Sequence, residues 1–303
     1  MIELDDLILG DNQFFGINHM SQQKAQELAE RFNDISQIVR AYHTAYDLGI
    51  HSFMLNSNDR AEEICEYLRM NADRFPELGM YASVPYPHKY ANLVAEKGII
   101  GTLQEVLAGR SAMSLLGLAG SGLSMLTGDM TKIMTTLVDA EMSIFRDLNV
   151  KVVFLQNIVT DLILGLALKD FFVAYARHIR NKYNAAPGFL TMNVPRLAAF
   201  LESSGVEESV ICGSVNKLGY LMSPDKAAYE DYFTRPQKYA VTAISIYASG
   251  AIPAAEAIAY VRQLGIQSIV FGASSRDHMK QTIELARSLD VEQATEPTAG
   301  RRA

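Results

Sequence analysis

Chemistry in this chain is carried by scattered polar residues. The stretch GASSRDHMKQTIELA, Gly272 to Ala286, runs from small residues through Ser274, Ser275 and Arg276 into an amphipathic pattern. Free N–H groups at a helix start, two hydroxyls and a guanidinium suit a phosphate, and the same residues suit a well-capped helix. Lys217, in CGSVNKLGY, would form a Schiff base with a carbonyl if burial brought its amine toward neutrality; otherwise it is a solvated lysine. Tyr86, His88 and His19 fall in irregular stretches where a general acid or base can act. Asp11 and Asp59 are placed to orient a base or a ligand hydroxyl. Asp59, directly before RAEEICEYL, also reads as an N-cap with Glu62 completing a capping box. Asn12, Asn56, Asn58, Asn157, Asn193 and Asn216 suit turns or a polar pocket for a hydroxylated or carbonyl ligand. Paired carboxylates and histidine clusters are missing from this set, which argues against two-metal and glycosidase chemistry, and no metal centre is expected.

These residues follow short apolar runs that alternate with amphipathic helices. The expected strands are 6–10, 51–55, 79–84, 151–156, 188–192, 209–214, 239–245 and 267–272, several of them apolar on both faces as in a covered parallel sheet. Between them, apolar residues recur at three and four, and Gly49, Gly205 and Gly265 punctuate helix ends. Eight such units predict an α/β (β/α)8 TIM barrel over residues 1–290, with catalytic residues just after the strands. The first turn, GDNQFFG, lacks the GxGxxG fingerprint of a Rossmann domain. Two departures interrupt the repeat: an extra helical piece at 16–33, and a long insertion at 85–130 that reads as a lid or interface element. Residues 291–303 read as a disordered tail.

The chain has 303 residues, of which 49% are hydrophobic and 20% charged. That is enough to bury a large core. A formal net charge of −7 without a clustered basic face argues against nucleic acid as a partner. Cys65 and Cys212 are the only cysteines and lie far apart, so no disulfide framework is expected and a reducing, cytoplasmic setting is the default. The acidic start MIELDDLILGDN is unlike a signal peptide. The apolar segment 111–130 is broken by Gly and Ser and is too polar for a stable membrane span.

In this order of elements, three stretches carry a family likeness. IVFGASSRDHMKQTIEL is similar to the last strand and helix of the aldo-keto reductase superfamily, AISIYASGAI to its seventh strand and small-residue loop, and LGIHSFMLNSNDRAEEICEYL to its second strand and helix. The resemblance implies NADP as cofactor. It places Ser274, Ser275 and Arg276 at the phosphate, Gln281 toward the adenine end, and Ser249, Gly250 and Gly272 in the flanking loops. It also implies an Asp–Tyr–Lys–His tetrad, which this sequence lacks. Met54 or Leu55 stands at the Asp position, no Tyr follows in that turn, Ser83 or Val84 replaces the Lys, and Asn157 lies near the His position. Without those groups, ordinary carbonyl reduction lacks its general acid.

Three readings follow. The first is an aldo-keto-reductase-like enzyme acting on a small carbonyl or hydroxyl compound, with a phosphate-bearing small molecule at the strand 7 and 8 loops and acid/base help from Tyr86 or His88. The second is a Schiff-base lyase or aldolase using Lys217. The third is a non-catalytic barrel that uses the apolar 99–130 insertion for a partner, a membrane surface or homo-oligomer formation.

Overall fold

The computed structural model describes residues 2–17, 21–86, 96 and 130–295. Eight strands close into a barrel in chain order: β1 (Leu7–Leu9), β2 (Ser52–Asn56), β3 (Gly79–Val84), β4 (Val150–Leu155), β5 (Ala186–Thr191), β6 (Val210–Ser214), β7 (Ala240–Ile244) and β8 (Ser268–Phe271). The helices are α1 (Gln22–Arg31), α2 (Ile35–Asp47), α3 (Ala61–Met70), α4 (Met130–Met142), α5 (Asn157–Gly165), α6 (Lys169–Tyr183), α7 (Val194–Ser203), α8 (Lys226–Phe233), α9 (Ala254–Gln263) and α10 (Arg276–Thr295). This is the (β/α)8 barrel that the alternation of apolar runs predicts. α10 continues through Thr295, past the start of the expected tail at 291. His19, His88, residues 97–129 of the insertion and residues 296–303 lie outside the described residues. Among the described residues no helix is long and apolar enough to cross a membrane.

The chain divides into two compact units. The first is built on Phe53–Cys212 and contains the parallel pairs β3/β4 and β4/β5. Its core is aromatic. Phe171, Phe172, Tyr175 and Phe189 are almost wholly buried, and the Tyr175 hydroxyl donates to the Val153 carbonyl at 2.9 Å, so the one polar atom of that ring is satisfied. Phe154 of β4 is fully buried and stacks on Tyr81 of β3 with ring centroids 6.4 Å apart.

The second unit, built on Leu4–Ser52, Gly213–Gln237 and Val241–Ala303, contains the pairs β1/β8 and β7/β8. Here α1 is the extra helix, and none of its residues is buried. It is held instead by close contact. Gly16 ends the 3-10 turn Asn12–Phe15 in the left-handed region, and a Cβ there would stand 2.7 Å from the Ala25 carbonyl and 2.8 Å from the Ala29 methyl. Phe14 of that turn packs edge-on against Phe32, just past α1, and against Tyr42 of α2.

Helix starts are fixed by local side chains. Asn193 accepts from Arg196 N at 3.1 Å with Pro195 in the first turn of α7, and Asp225 accepts from Ala228 N at 2.9 Å. The α3 start departs from expectation, because Asn58 and not Asp59 supplies the side-chain bond, its Oδ1 accepting from Arg60 N at 3.0 Å. An acceptor side chain two positions ahead of the donor N–H closes an Asx turn, and the capping box with Glu62 does not form there.

Cys65 and Cys212 are both fully buried. Burial pushes the Cys65 thiol up to about 12 and the Cys212 thiol further up. Since the thiolate is the reactive species, neither thiol in the folded protein should react with an aromatic disulfide reagent at pH 7, and both should titrate once denaturant is added. Release of the coloured thiolate checks this; a thiol that reacts before unfolding contradicts it.

Candidate ligand site

The second unit gathers unpartnered donors at the exits of β7 and β8. After β7 the chain adopts the left-handed region at Ser245 (φ 55°), Ala248 (φ 45°) and Ser249 (φ 57°), three residues that carry side chains, and then at Gly250. Each such residue costs about 1–3 kcal/mol, and strain of this kind persists where the surroundings hold it. Bonds from Ala248 N to Ser245 O (2.9 Å) and from Gly250 N to Tyr247 O (2.8 Å) hold it here, together with the Tyr247 hydroxyl, which donates to Thr282 Oγ1 of α10 at 2.8 Å. Burial pushes that phenol up to about 12, so it is a fixed donor at neutral pH. The N–H groups of Tyr247 and Ser249 have no partner among the described residues. Tyr247 (φ −85°, ψ 0°) is followed by left-handed Ala248, and such a change of hand turns successive N–H groups toward one side, the geometry of an anion nest.

Lys24 of α1 lies against the same loop. Its ammonium is 3.9 Å from the position a Cβ on Gly250 would take, and no side-chain partner for it occurs among the described residues. Sequence reasoning missed it, because in the polar run QQKAQELAER a lysine looks like ordinary solvated surface. Nothing in that run says which neighbour the close contact at Gly16 will bring.

At the β8 exit Ser275 acts as the helix cap, its hydroxyl accepting from His278 N at 3.3 Å. Among the described residues Ser274 and Arg276 have no side-chain partner, and Gln281 is exposed on the same helix, also without one. The two halves of the original alternative therefore fall to different residues: Ser275 caps, while Ser274 and Arg276 remain available to a ligand.

Gln13 sits beside this turn. Its Nε2 donates to the Gly10 carbonyl at 2.6 Å, which fixes the amide and leaves Oε1 buried without a partner. That oxygen lies 2.7 Å from where a Cβ on Gly272 would be, so a side chain there would make the Gln13 amide shift. Asp11, also buried, precedes the 3-10 turn that carries Gln13.

Lys217 is placed otherwise than a Schiff-base lysine needs. Its side chain is 51% exposed and paired with Glu256, so the burial that would free its amine is not there. Asn216, its neighbour, is fully buried and self-contained: its amide donates to Tyr220 O and accepts from Tyr220 N, both at 2.8 Å, pinning the loop.

The first unit has its own polar group at the strand exits. Gln156, after β4, donates from its amide to Asn56 at the end of β2, and Asn157 beside it opens α5 with no side-chain partner among the described residues. Glu141 of α4 is fully buried; it accepts the Ser57 hydroxyl, and Tyr86 N at 3.2 Å, so it ties the exits of β2 and β3 to α4. Its signal in the sequence was a single acid on the apolar stripe with Val138 and Phe145. Asp161 accepts from Thr191 Oγ1 at 2.5 Å and Met192 N at 3.0 Å, and burial holds its carboxyl above the usual aspartate value despite those bonds. Among the described residues no group of His, Cys, Asp and Glu could hold a metal ion.

No sequence-family profile and no curated protein matches the chain. Solved structures do. A Pseudomonas aeruginosa protein assigned as an aldo-keto reductase superposes with a TM-score of 0.58 at 14% identity, covering 94% of this chain and 90% of its own. An aldose reductase from Giardia lamblia gives 0.51 at 10% identity over 93% and 86%, and an aldo-keto reductase from Bacillus halodurans in its holo form gives 0.50 at 9% over 92% and 86%. The fold is a (β/α)8 barrel of the kind these aldo-keto reductases have. At the positions that the sequence resemblance assigns to the tetrad, Leu55 and Val84 are fully buried, Met54 nearly so, and the buried Ser83 hydroxyl has no partner among the described residues.

Proposed function

We propose that the chain is an aldo-keto-reductase-like enzyme that binds a phosphate-bearing small molecule, NADP(H) or a phosphorylated metabolite, at the β7 and β8 turns and acts on a small carbonyl or hydroxyl compound. The observation that carries the reading is the convergence, within one compact unit, of unpartnered anion donors on a strained loop and a helix start: the Tyr247 and Ser249 N–H groups, Lys24, Ser274 and Arg276. A loop that stores strain and leaves N–H groups unbonded is stabilised when an anion accepts from them. The α10 dipole and the Arg276 guanidinium act in the same direction.

The residues fit NADP(H) as follows. Ser274 and Arg276 would hold a phosphate, with Gln281 further along α10, while Ser249, Gly250 and Lys24 would meet a second anionic group, and Gly272 lets the backbone approach closely. When bound, the nicotinamide supplies a hydride. The proton has to come from a group other than the missing tetrad, and Tyr86 is the described candidate, its backbone anchored on Glu141. The test is a titration with NADPH followed by its fluorescence. Saturable enhancement is expected. No change at saturating NADPH, with a phosphosugar bound instead, makes the ligand a metabolite; binding of neither overturns the reading.

A further inference from the structure

A second donor-rich site lies in the helix layer of the first unit, apart from the strand exits. Asp139 of α4 is the common acceptor for one face of α6. His178 Nε2 stands 2.6 Å from Oδ1, Tyr183 donates its hydroxyl to the same oxygen at 2.5 Å, and Lys182 Nζ pairs with Oδ2 at 2.6 Å. Burial alone would push the Asp139 carboxyl up, and the bonds from His178, Lys182 and Tyr183 bring it below the usual aspartate value, so the anchor is charged. Burial and the bond to Asp139 push the Tyr183 phenol up, so it stays a donor. The four residue types match those of a reductase tetrad. Their arrangement does not, because every donor is spent on one carboxylate and the tyrosine is made less acidic.

This arrangement holds α6 side chains beside an open surface groove of about 410 Å³, lined by Thr135, Ala174, Arg177, His178, Asn181 and Lys182. The lining carries two cations in a chain whose formal net charge is −7; Lys182 is paired with Asp139, so the charge on offer is that of Arg177. Arg177 and Asn181 have no side-chain partner among the described residues. The Arg177 guanidinium fork matches the oxygens of a phosphate, and the Asn181 amide and the Thr135 hydroxyl oxygen, whose proton goes to the Thr131 carbonyl, suit neighbouring ligand hydroxyls.

We infer that this α4/α6 groove binds a phosphate monoester of a small hydroxylated molecule, independently of the β7/β8 site. The test uses the full chain, with glycerol 3-phosphate and inorganic phosphate as probes and glycerol as the uncharged control. The carbon-bound ring protons of His178 are followed by NMR, with the isotherm read by calorimetry. Glycerol 3-phosphate should shift the His178 signals saturably and glycerol should not. Arg177→Ala removes an exposed side chain with no internal partner, so the fold is kept; it should weaken this binding by about tenfold or more, the worth of one charge-assisted contact, with partial rescue by Arg177→Lys. Arg276→Ala should leave the His178 response unchanged. Phosphate binding that leaves His178 unmoved, that survives Arg177→Ala at full affinity, or that is lost in Arg276→Ala overturns the inference. Because NADPH fluorescence reports the other site, the two readings fail separately.

Discussion

Arg276→Ala lowers NADPH affinity by about 10- to 100-fold and leaves thermal stability unchanged. The range is that of a hydrogen bond to a charged group, about 1.5–3 kcal/mol, converted at 1.4 kcal/mol per factor of ten. Stability is spared because Arg276 is exposed at the first position of α10 and bonds to no other described side chain. The α10 N–H groups and the β7 loop persist, so binding weakens and is not abolished. NADH, with one phosphate fewer, should lose less than NADPH. Fluorescence titration of both nucleotides checks the difference, and equal losses would move Arg276 off the phosphate that distinguishes them. Gly272→Ala should also weaken binding, since the new methyl meets Gln13 Oε1 at 2.7 Å and one of the two must shift.

The largest effect on stability is expected from Phe154→Ala, which should cost about 3–5 kcal/mol in urea unfolding. Phe154 is fully buried, lies directly opposite Gly188 in the β4/β5 register, and stacks on Tyr81. A Cβ on Gly188 would fall 2.3 Å from Phe154 Cδ1, so the ring occupies the space the glycine leaves open. Truncation empties that space, and neighbouring strands held by ladder hydrogen bonds have little freedom to close on it. A loss below about 1 kcal/mol would mean the wall collapses onto the gap.

The barrel was legible because each of its strands is a short apolar run closed by turn residues, and each covered helix shows its stripe. The β8 turn was legible for a related reason: small residues, hydroxyls and an arginine follow one another within the turn. Lys24, Glu141 and the Asp139 cluster were not. Lys24 depends on a backbone approach at Gly16, from a helix with no buried face to announce it. His178, Lys182 and Tyr183 meet Asp139 only because α4 packs on α6, and they come from helices separated along the chain by a strand and a further helix. The Schiff-base reading of Lys217 turned on burial, and the position of Glu256 relative to it is fixed by the β6 and β7 exits, which no local pattern encodes.

The mode of attachment of α1 separates two quantities that are usually coupled. A charge delivered from a core element cannot be altered without disturbing packing, so affinity and folding change together. Lys24 rides on a helix that contributes nothing to the interior and is held by an approach to one glycine. Residue changes on its outer face can therefore strengthen, weaken or reverse the charge presented to the Gly250 loop while the barrel's stability stays where it was, which makes this appendage the part of the molecule where ligand preference can drift most freely.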